Sequence, residues 1–99
     1  MRLTPEHIQA IRVGVGQLAG PTARVWLFGS RVHDHLRGGD VDLLLELDAP
    51  VDDPVRLAAH LSNRVSRAMY GRKVDVVVKA PNLRHLPIHS IALKEGVLL

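Results

Sequence analysis

Residues 25–47 read VWLFGSRVHDHLRGGDVDLLLEL. The segment starts with a short apolar run, turns at Gly29-Ser30, and enters a second apolar run that opens with Asp40-Val41-Asp42. Short apolar runs bounded by glycine and polar residues are typical of strands in a sheet. The segment therefore predicts two strands, with a glycine turn and a pair of carboxylates between them.

The second strand, over residues 40–47, has two different faces. Alternate residues of a strand point to opposite sides of the sheet. One side collects Val41, Leu43, Leu45 and Leu47, and the other collects Asp40, Asp42, Leu44 and Glu46. We expect the first side to face the core and the second to be open, with the two aspartates about 7 Å apart along the strand.

A later segment, residues 73–79, reads KVDVVVK and repeats this pattern. Its alternation places Asp75 opposite an all-valine face, so the carboxylates of both strands are expected on the same side of the sheet. Carboxylates gathered in this way repel one another by about 4 kcal/mol for each 4 Å pair at an effective dielectric of about 20. Mg²⁺ takes hard oxygen ligands and offsets such repulsion, so we predict that Asp40 and Asp42 hold one or two Mg²⁺ ions.

The turn after the first strand has the features of an anion site. Gly29 adopts backbone angles that other residues resist and lets a ligand approach closely. Ser30 follows where a helical turn could start, so its hydroxyl could cap that turn and contact a phosphate. Arg31 suits either a phosphate contact or a salt bridge to Asp34 or one of the aspartates, and the sequence does not decide between them.

The remaining chain predicts helices around this sheet. Cap-plus-proline starts at Thr4-Pro5 and Asp53-Pro54 each precede an apolar stripe with three- and four-residue steps. The expected helices cover residues 5–19, 54 to about 70, and 87–95, with a further short strand at 24–28. The last residues, 97–99, suit an edge strand or a contact with a partner. We predict a single α/β (α+β) domain over residues 1–99, a small mixed β-sheet with helices packed on one face.

Composition excludes several classes of function. The chain has 99 residues and no cysteine, which removes disulfides and thiolate metal sites. No secretion signal or membrane-length apolar run is visible, so a cytoplasmic location is expected. The net charge is +3, but the arginines are dispersed, so no dedicated nucleic-acid surface is expected. His33 and His35 lack a third ligand for a metal site, and their role stays open.

Gly-Ser, followed by Asp-x-Asp at the head of an apolar strand and by a later acidic strand, resembles the minimal nucleotidyltransferases of the DNA polymerase β superfamily, in particular the antitoxins of HEPN/MNT modules. The resemblance implies a polymerase β palm-like fold. It also implies that Gly29 and Ser30 hold the β- and γ-phosphates of a nucleotide and that Asp40 and Asp42 bind metal. Asp75 would bind the catalytic metal and accept a proton from the incoming hydroxyl.

The resemblance further implies a reaction and a partner. The reaction would move AMP from ATP to a hydroxyl group on a HEPN-type toxin, with Mg²⁺ as cofactor and toxin neutralisation as the outcome. A catalytic core of this size leaves few residues to bind the nucleobase or the acceptor. Another copy or a partner chain is therefore expected to complete the site. Two alternatives remain at this point: a non-catalytic module that neutralises its partner by binding, and a small nucleic-acid-binding protein.

Overall fold

A computed structural model describes residues 3–29 and 41–99. The elements in chain order are α1 (Pro5–Ala19), β1 (Arg24–Phe28), β2 (Val41–Glu46), α2 (Pro54–Ala68), β3 (Val74–Lys79), α3 (Pro87–Glu95) and β4 (Val97–Leu98). Each predicted element is present, and the bounds differ from the prediction by two residues or fewer. In the part of the chain that is described, no helix has the length and apolarity to cross a membrane.

Local capping explains where the first two helices begin. The Thr4 hydroxyl accepts the backbone N–H of His7 at 3.2 Å, and His7 Nδ1 accepts the backbone N–H of Thr4 at 3.3 Å. The Asp53 carboxylate accepts the N–H of Arg56 at 3.0 Å in the same way at the start of α2. Each cap satisfies amide donors that have no partner within the helix, so the sequence signals for helix starts are confirmed.

The four strands form one mixed sheet in the order β3-β2-β1-β4. β1 and β2 pair antiparallel, β2 and β3 pair parallel, and β4 pairs antiparallel with β1. The parallel pair is connected through α2, as parallel neighbours require a crossover. The sequence left residues 97–99 open between an edge strand and a partner contact, and the structure places Val97–Leu98 in the edge strand.

Two apolar clusters cover the two faces of the sheet. The larger cluster packs α1 and α2 against one face, and its buried members include Ile11, Val15, Val41, Leu43, Leu45, Leu61 and Val65. The smaller cluster packs α3 against the other face, and its members include Trp26, Phe28, Leu44, Val77, Ile88, Ala92 and Leu93. The α/β fold class is confirmed, and α1 and α2 share one face as predicted.

The second face is more covered than the sequence suggested. Leu44 was expected on the open side beside Asp42, yet it is 0% exposed beneath α3. The expectation of helices on one face alone is therefore wrong for α3. Alternation fixes the side to which a residue points, whereas the element that covers this side depends on where a distant helix packs.

Candidate active site

Asp42 and Asp75 lie side by side on neighbouring strands. They are direct partners in the parallel register of β2 and β3. Neighbouring strands are about 4.8 Å apart, and partners in register point to the same face of the sheet. Asp42 is half-buried and Asp75 is exposed. The structure thus brings together two of the carboxylates that the sequence singled out.

The pair lies at one end of the face that α3 covers. Leu44 follows Asp42 by two residues and Val77 follows Asp75 by two, and both apolar residues belong to the cluster under α3. Two residues of strand correspond to about 7 Å. The carboxylates therefore lie directly beyond the apolar patch, next to the low-dielectric part of the sheet.

Gly29 is pressed against the Asp42 carboxylate. It follows β1 directly, and its φ of +76° lies in the left-handed region that glycine tolerates best. A Cβ added at this position would overlap Oδ2 of Asp42 and lie 3.2 Å from its Cγ. A side chain here would force the Asp42 carboxylate to shift, so the backbone after β1 lies close to that carboxylate.

Lys73 is a cation of this site that the sequence reasoning did not assign. Its Nζ lies 4.0 Å from Oδ2 of Asp75, and both side chains are more than half exposed. Its carbonyl accepts the backbone N–H of Val41 at 2.9 Å, which ties the start of β3 to the start of β2. The sequence signal for this contact was the two-residue spacing of Lys73 and Asp75, because residues two positions apart on a strand point to the same side.

Several predicted site residues lie outside the described residues. These are Ser30, Arg31 and Asp40, together with His33 and His35, whose role the sequence left open. Within residues 3–29 and 41–99, no group of three or more ligating side chains gathers at one point. The structure therefore places Gly29, Asp42 and Asp75 of the predicted set.

The described pair nonetheless fits a divalent cation. Two carboxylates about 5 Å apart repel by about 3 kcal/mol at an effective dielectric of about 20. Both present hard oxygen ligands, the type that Mg²⁺ prefers. Gly29 adds no side chain of its own beside Asp42, and glycine lets a phosphate approach the backbone closely. Asp42 and Asp75 are thus suitable ligands for Mg²⁺, and the Mg²⁺ site stays a prediction.

The acidic residue at the other end of β2 has a different environment. Oε1 of Glu46 accepts hydrogen bonds from Arg24 Nε at 2.9 Å and Trp26 Nε1 at 3.1 Å, and Oε2 lies 3.7 Å from Lys79 Nζ. The Arg24 hydrogen bond is the main cause that holds the pKa of Glu46 below its usual range. Glu46 shares a face with Asp42, but these partners assign it a structural role.

His89 is a buried polar residue that the sequence reasoning gave no role. Its Nδ1 accepts the backbone N–H of Leu86 at 3.0 Å, which caps the start of α3. Burial lowers the pKa of His89, the neighbouring His85 lowers it further, and a hydrogen bond with the backbone of Val78 acts in the opposite direction. His89 therefore favours its neutral form and fixes α3 on the sheet.

Comparison with known families agrees with this geometry. The sequence matches the family model of the nucleotidyltransferase domain over residues 8–99. The chain therefore belongs to the nucleotidyltransferase domain family, which confirms the resemblance inferred from the sequence. No curated protein gives a significant match.

A solved structure has the same fold. It is described as the crystal structure of the toxin-antitoxin with AMP-PNP, and one of its chains superposes with a TM-score of 0.67 at 15% sequence identity. The superposition covers 97% of this chain and 72% of that chain. At this identity the likeness establishes the fold, and the fold is that of a nucleotidyltransferase domain.

Proposed function

We propose that this domain transfers AMP from ATP to a hydroxyl group of a partner protein, a HEPN-type toxin, and thereby acts as its antitoxin. One observation carries the proposal: Asp42 and Asp75 are register partners, and Gly29 is packed against the Asp42 carboxylate. In a nucleotidyltransferase domain, paired carboxylates beside a glycine turn suit a metal-dependent nucleotide site.

Mg²⁺ would be held by Asp42 and Asp75, with Asp40 as the third ligand two residues before Asp42. When bound, the ion neutralises the negative charge of the carboxylates and the triphosphate. Gly29 lets the triphosphate approach the backbone after β1. Ser30 and Arg31 would contact the β- and γ-phosphates from the same turn.

The proposed reaction is an in-line displacement. The acceptor oxygen forms a bond to the α-phosphorus, the bond from that phosphorus to the bridging oxygen of the β-phosphate breaks, and pyrophosphate leaves. The proton of the acceptor hydroxyl moves to Asp75, whose side chain is about half exposed and therefore accessible from solvent. A carboxylate in this position acts as a general base.

The solved relative supports the choice of donor and partner. Its description names AMP-PNP, an analogue of ATP, and a toxin-antitoxin. The described part of this chain has few aromatic side chains to stack on a base, and its exposed aromatic residue is Tyr70. A partner chain would therefore supply the missing contacts to the base. The reaction would take place in the cytoplasm, where ATP is available.

Transfer to the protein encoded by the adjacent gene tests the proposal. That protein is incubated with this chain, Mg²⁺ and ATP labelled in the α-phosphate, and the label on each protein is measured. We expect label on the partner with the wild type and with Asp52→Asn, a matched loss of an exposed carboxylate remote from the site. We expect no label with Asp42→Asn or Asp75→Asn.

Other outcomes separate the alternatives. A tight complex without label, equally tight for Asp42→Asn, would show an antitoxin that acts by binding. Retention of an RNA or DNA probe with a steep salt dependence, without label or complex, would show a nucleic-acid-binding protein. Either result would overturn the transferase proposal.

A further inference from the structure

Tyr70 has an unusual position at the end of α2. It is 96% exposed and has a φ of +59°. The N–H of Gly71 donates to the carbonyl of Ser66 at 2.8 Å, and the N–H of Met69 donates to the carbonyl of Val65 at 3.1 Å. These bonds close the helix in a Schellman-type turn, in which the position held by Tyr70 is ordinarily glycine or asparagine.

The fold gains little from a tyrosine at this position. The left-handed conformation is unfavourable for a residue with a Cβ, and a ring that is 96% exposed returns almost no burial. Neither a hydrogen bond nor an ion pair of its side chain is found within the described residues. Strained residues without a structural reward are concentrated at functional sites, so Tyr70 is a candidate for a chemical role.

Topology places Tyr70 at the same end of the sheet as the carboxylates. Because β2 and β3 are parallel, α2 must return the chain to the end where both strands begin. Asp42 and Asp75 are the second residues of these strands. Tyr70 precedes Asp75 by five positions, so their Cα atoms are at most about 18 Å apart.

Other hydroxyl groups of the described chain are engaged or distant. Ser62 and Ser66 donate to the backbone carbonyls of Val74 and Arg72, and Ser90 bonds to the ring of His85. The Thr4 hydroxyl caps α1. Thr22 lies in the turn before β1, at the opposite end of the sheet. Within residues 3–29 and 41–99, Tyr70 is thus an exposed hydroxyl at the carboxylate end of the sheet that has no hydrogen-bond partner.

We propose that Tyr70 is itself a nucleotidyl acceptor, modified by the active site of a second copy of this chain. This inference rests on the proposed function. The Tyr70 oxygen forms a bond to the α-phosphorus of ATP, the α–β bridging bond breaks, pyrophosphate leaves, and the phenol proton passes to Asp75 of the copy that acts as the enzyme.

The second copy follows from the geometry. Asp42 and Asp75 share the face of the sheet that α3 covers, whereas α2 packs on the opposite face. Tyr70, at the end of α2, would have to reach around the β3 edge to enter its own site. A ring from another copy is free of this constraint, because it approaches from solvent and not from the end of the same α2.

Mixing two variants tests this arrangement. Tyr70→Phe retains the carboxylates and lacks the acceptor, and Asp42→Asn retains the acceptor and lacks a metal ligand. Each variant and the wild type are incubated with ATP and Mg²⁺, alone and mixed, and adducts are mapped by peptide mass spectrometry. Pyrophosphate release is measured in parallel.

We expect one AMP adduct on Tyr70 of the wild type, with an initial rate that rises with the square of protein concentration. Neither variant should be labelled alone, and in the mixture the Tyr70 peptide of the Asp42→Asn chain should be labelled. The two chains are distinguishable because one carries tyrosine and the other phenylalanine in this peptide.

Three results would overturn the inference. If the wild type releases pyrophosphate or labels its partner while Tyr70 stays unmodified, Tyr70 is not an acceptor, and the proposed function still stands. If Tyr70 is labelled in the wild type but not in the mixture, the transfer between copies is wrong. If no pyrophosphate is released and no protein is labelled, the proposed function itself fails, and this inference fails with it.

Discussion

The two ends of β2 carry acidic residues on the same face, but in opposite circumstances. At one end, Glu46 receives two hydrogen bonds and has the Lys79 ammonium nearby. At the other end, Asp42 lies beside a second carboxylate, Asp75, and against the backbone of Gly29. The exposed Lys73 is a cation at this end, 4.0 Å from Asp75. We call these the Glu46 end and the Asp42 end of the sheet.

The comparison separates two uses of a carboxylate. A charge surrounded by cations and donors stabilises the fold, and a bound ion there would have to displace those partners. Two adjacent carboxylates are unfavourable in the protein alone and become favourable with a bound cation. Gly29 and Tyr70, two of the residues with a positive φ, also belong to the Asp42 end.

Asp42→Asn should give the largest effect on activity. We expect AMP transfer to fall by at least about 100-fold, because charge stabilisation at the reacting phosphate is lost. The free energy of unfolding should change much less than the activity, because asparagine keeps the size of aspartate and one of its acceptor oxygens. Rate measurements and urea denaturation check this; a marked loss of stability with full activity would show that the two ends do not differ as described.

Gly29→Ala should impair both folding and function. The new Cβ meets Oδ2 of Asp42, and the φ of +76° is unfavourable for alanine. We expect a loss of about 1–2 kcal/mol in unfolding free energy and weaker Mn²⁺ binding, measured by electron paramagnetic resonance. Gly20→Ala is the matched control, because Gly20 also has a positive φ, +92°, and a Cβ there meets nothing within 4 Å; equal behaviour of the two variants would contradict the close approach.

Glu46→Gln should affect stability and leave the chemistry intact. We expect a loss of about 1 kcal/mol at neutral pH, because a charged hydrogen-bond acceptor is replaced by a neutral one. The lowered pKa of Glu46 means that its contribution is present above about pH 4.5 and is lost as the pH falls below that value. The variant should therefore lose less stability than the wild type on acidification, and a large loss of transfer activity would refute the structural role.

Tyr70→Gly should stabilise the protein by about 1 kcal/mol, because glycine adopts the left-handed conformation without a Cβ penalty. Thermal unfolding gives the difference, with Tyr70→Phe as the control that keeps the backbone penalty and removes only the hydroxyl. A destabilised glycine variant would mean that the tyrosine ring contributes to the fold after all.

Of these variants, His89→Gln should have the smallest effect, which is a weaker dependence of the unfolding free energy on pH. Glutamine keeps an acceptor for the N–H of Leu86 and does not titrate. In the wild type the lowered pKa of His89 means that the unfolded chain binds the proton more readily, so stability is full above about pH 6.5 and falls as the pH drops below it. The difference in unfolding free energy between pH 7 and pH 5 should be smaller for the variant than for the wild type. Equal differences would show that burial of His89 carries no such penalty.

The sequence was a good guide to the elements and a partial guide to the site. Cap residues and alternation located the helices and strands because both signals are local. The same alternation placed Asp42 and Asp75 on matching faces before their register was known. It could not show that Glu46 is paired with Arg24, since this contact joins two separate strands.

The sequence by itself determined which residues are helical or extended, the side to which each strand residue points, and where glycine is needed. These properties follow from the periods of the backbone, which are the same in any fold. Only the tertiary structure decided that Asp42 and Asp75 are register partners, that α3 buries Leu44, and that Tyr70 stands at the end of the sheet with the carboxylates. Strand register and the helix that covers each face depend on contacts between residues far apart in the chain. Such contacts form only when the whole core packs, so no local pattern of the sequence shows them.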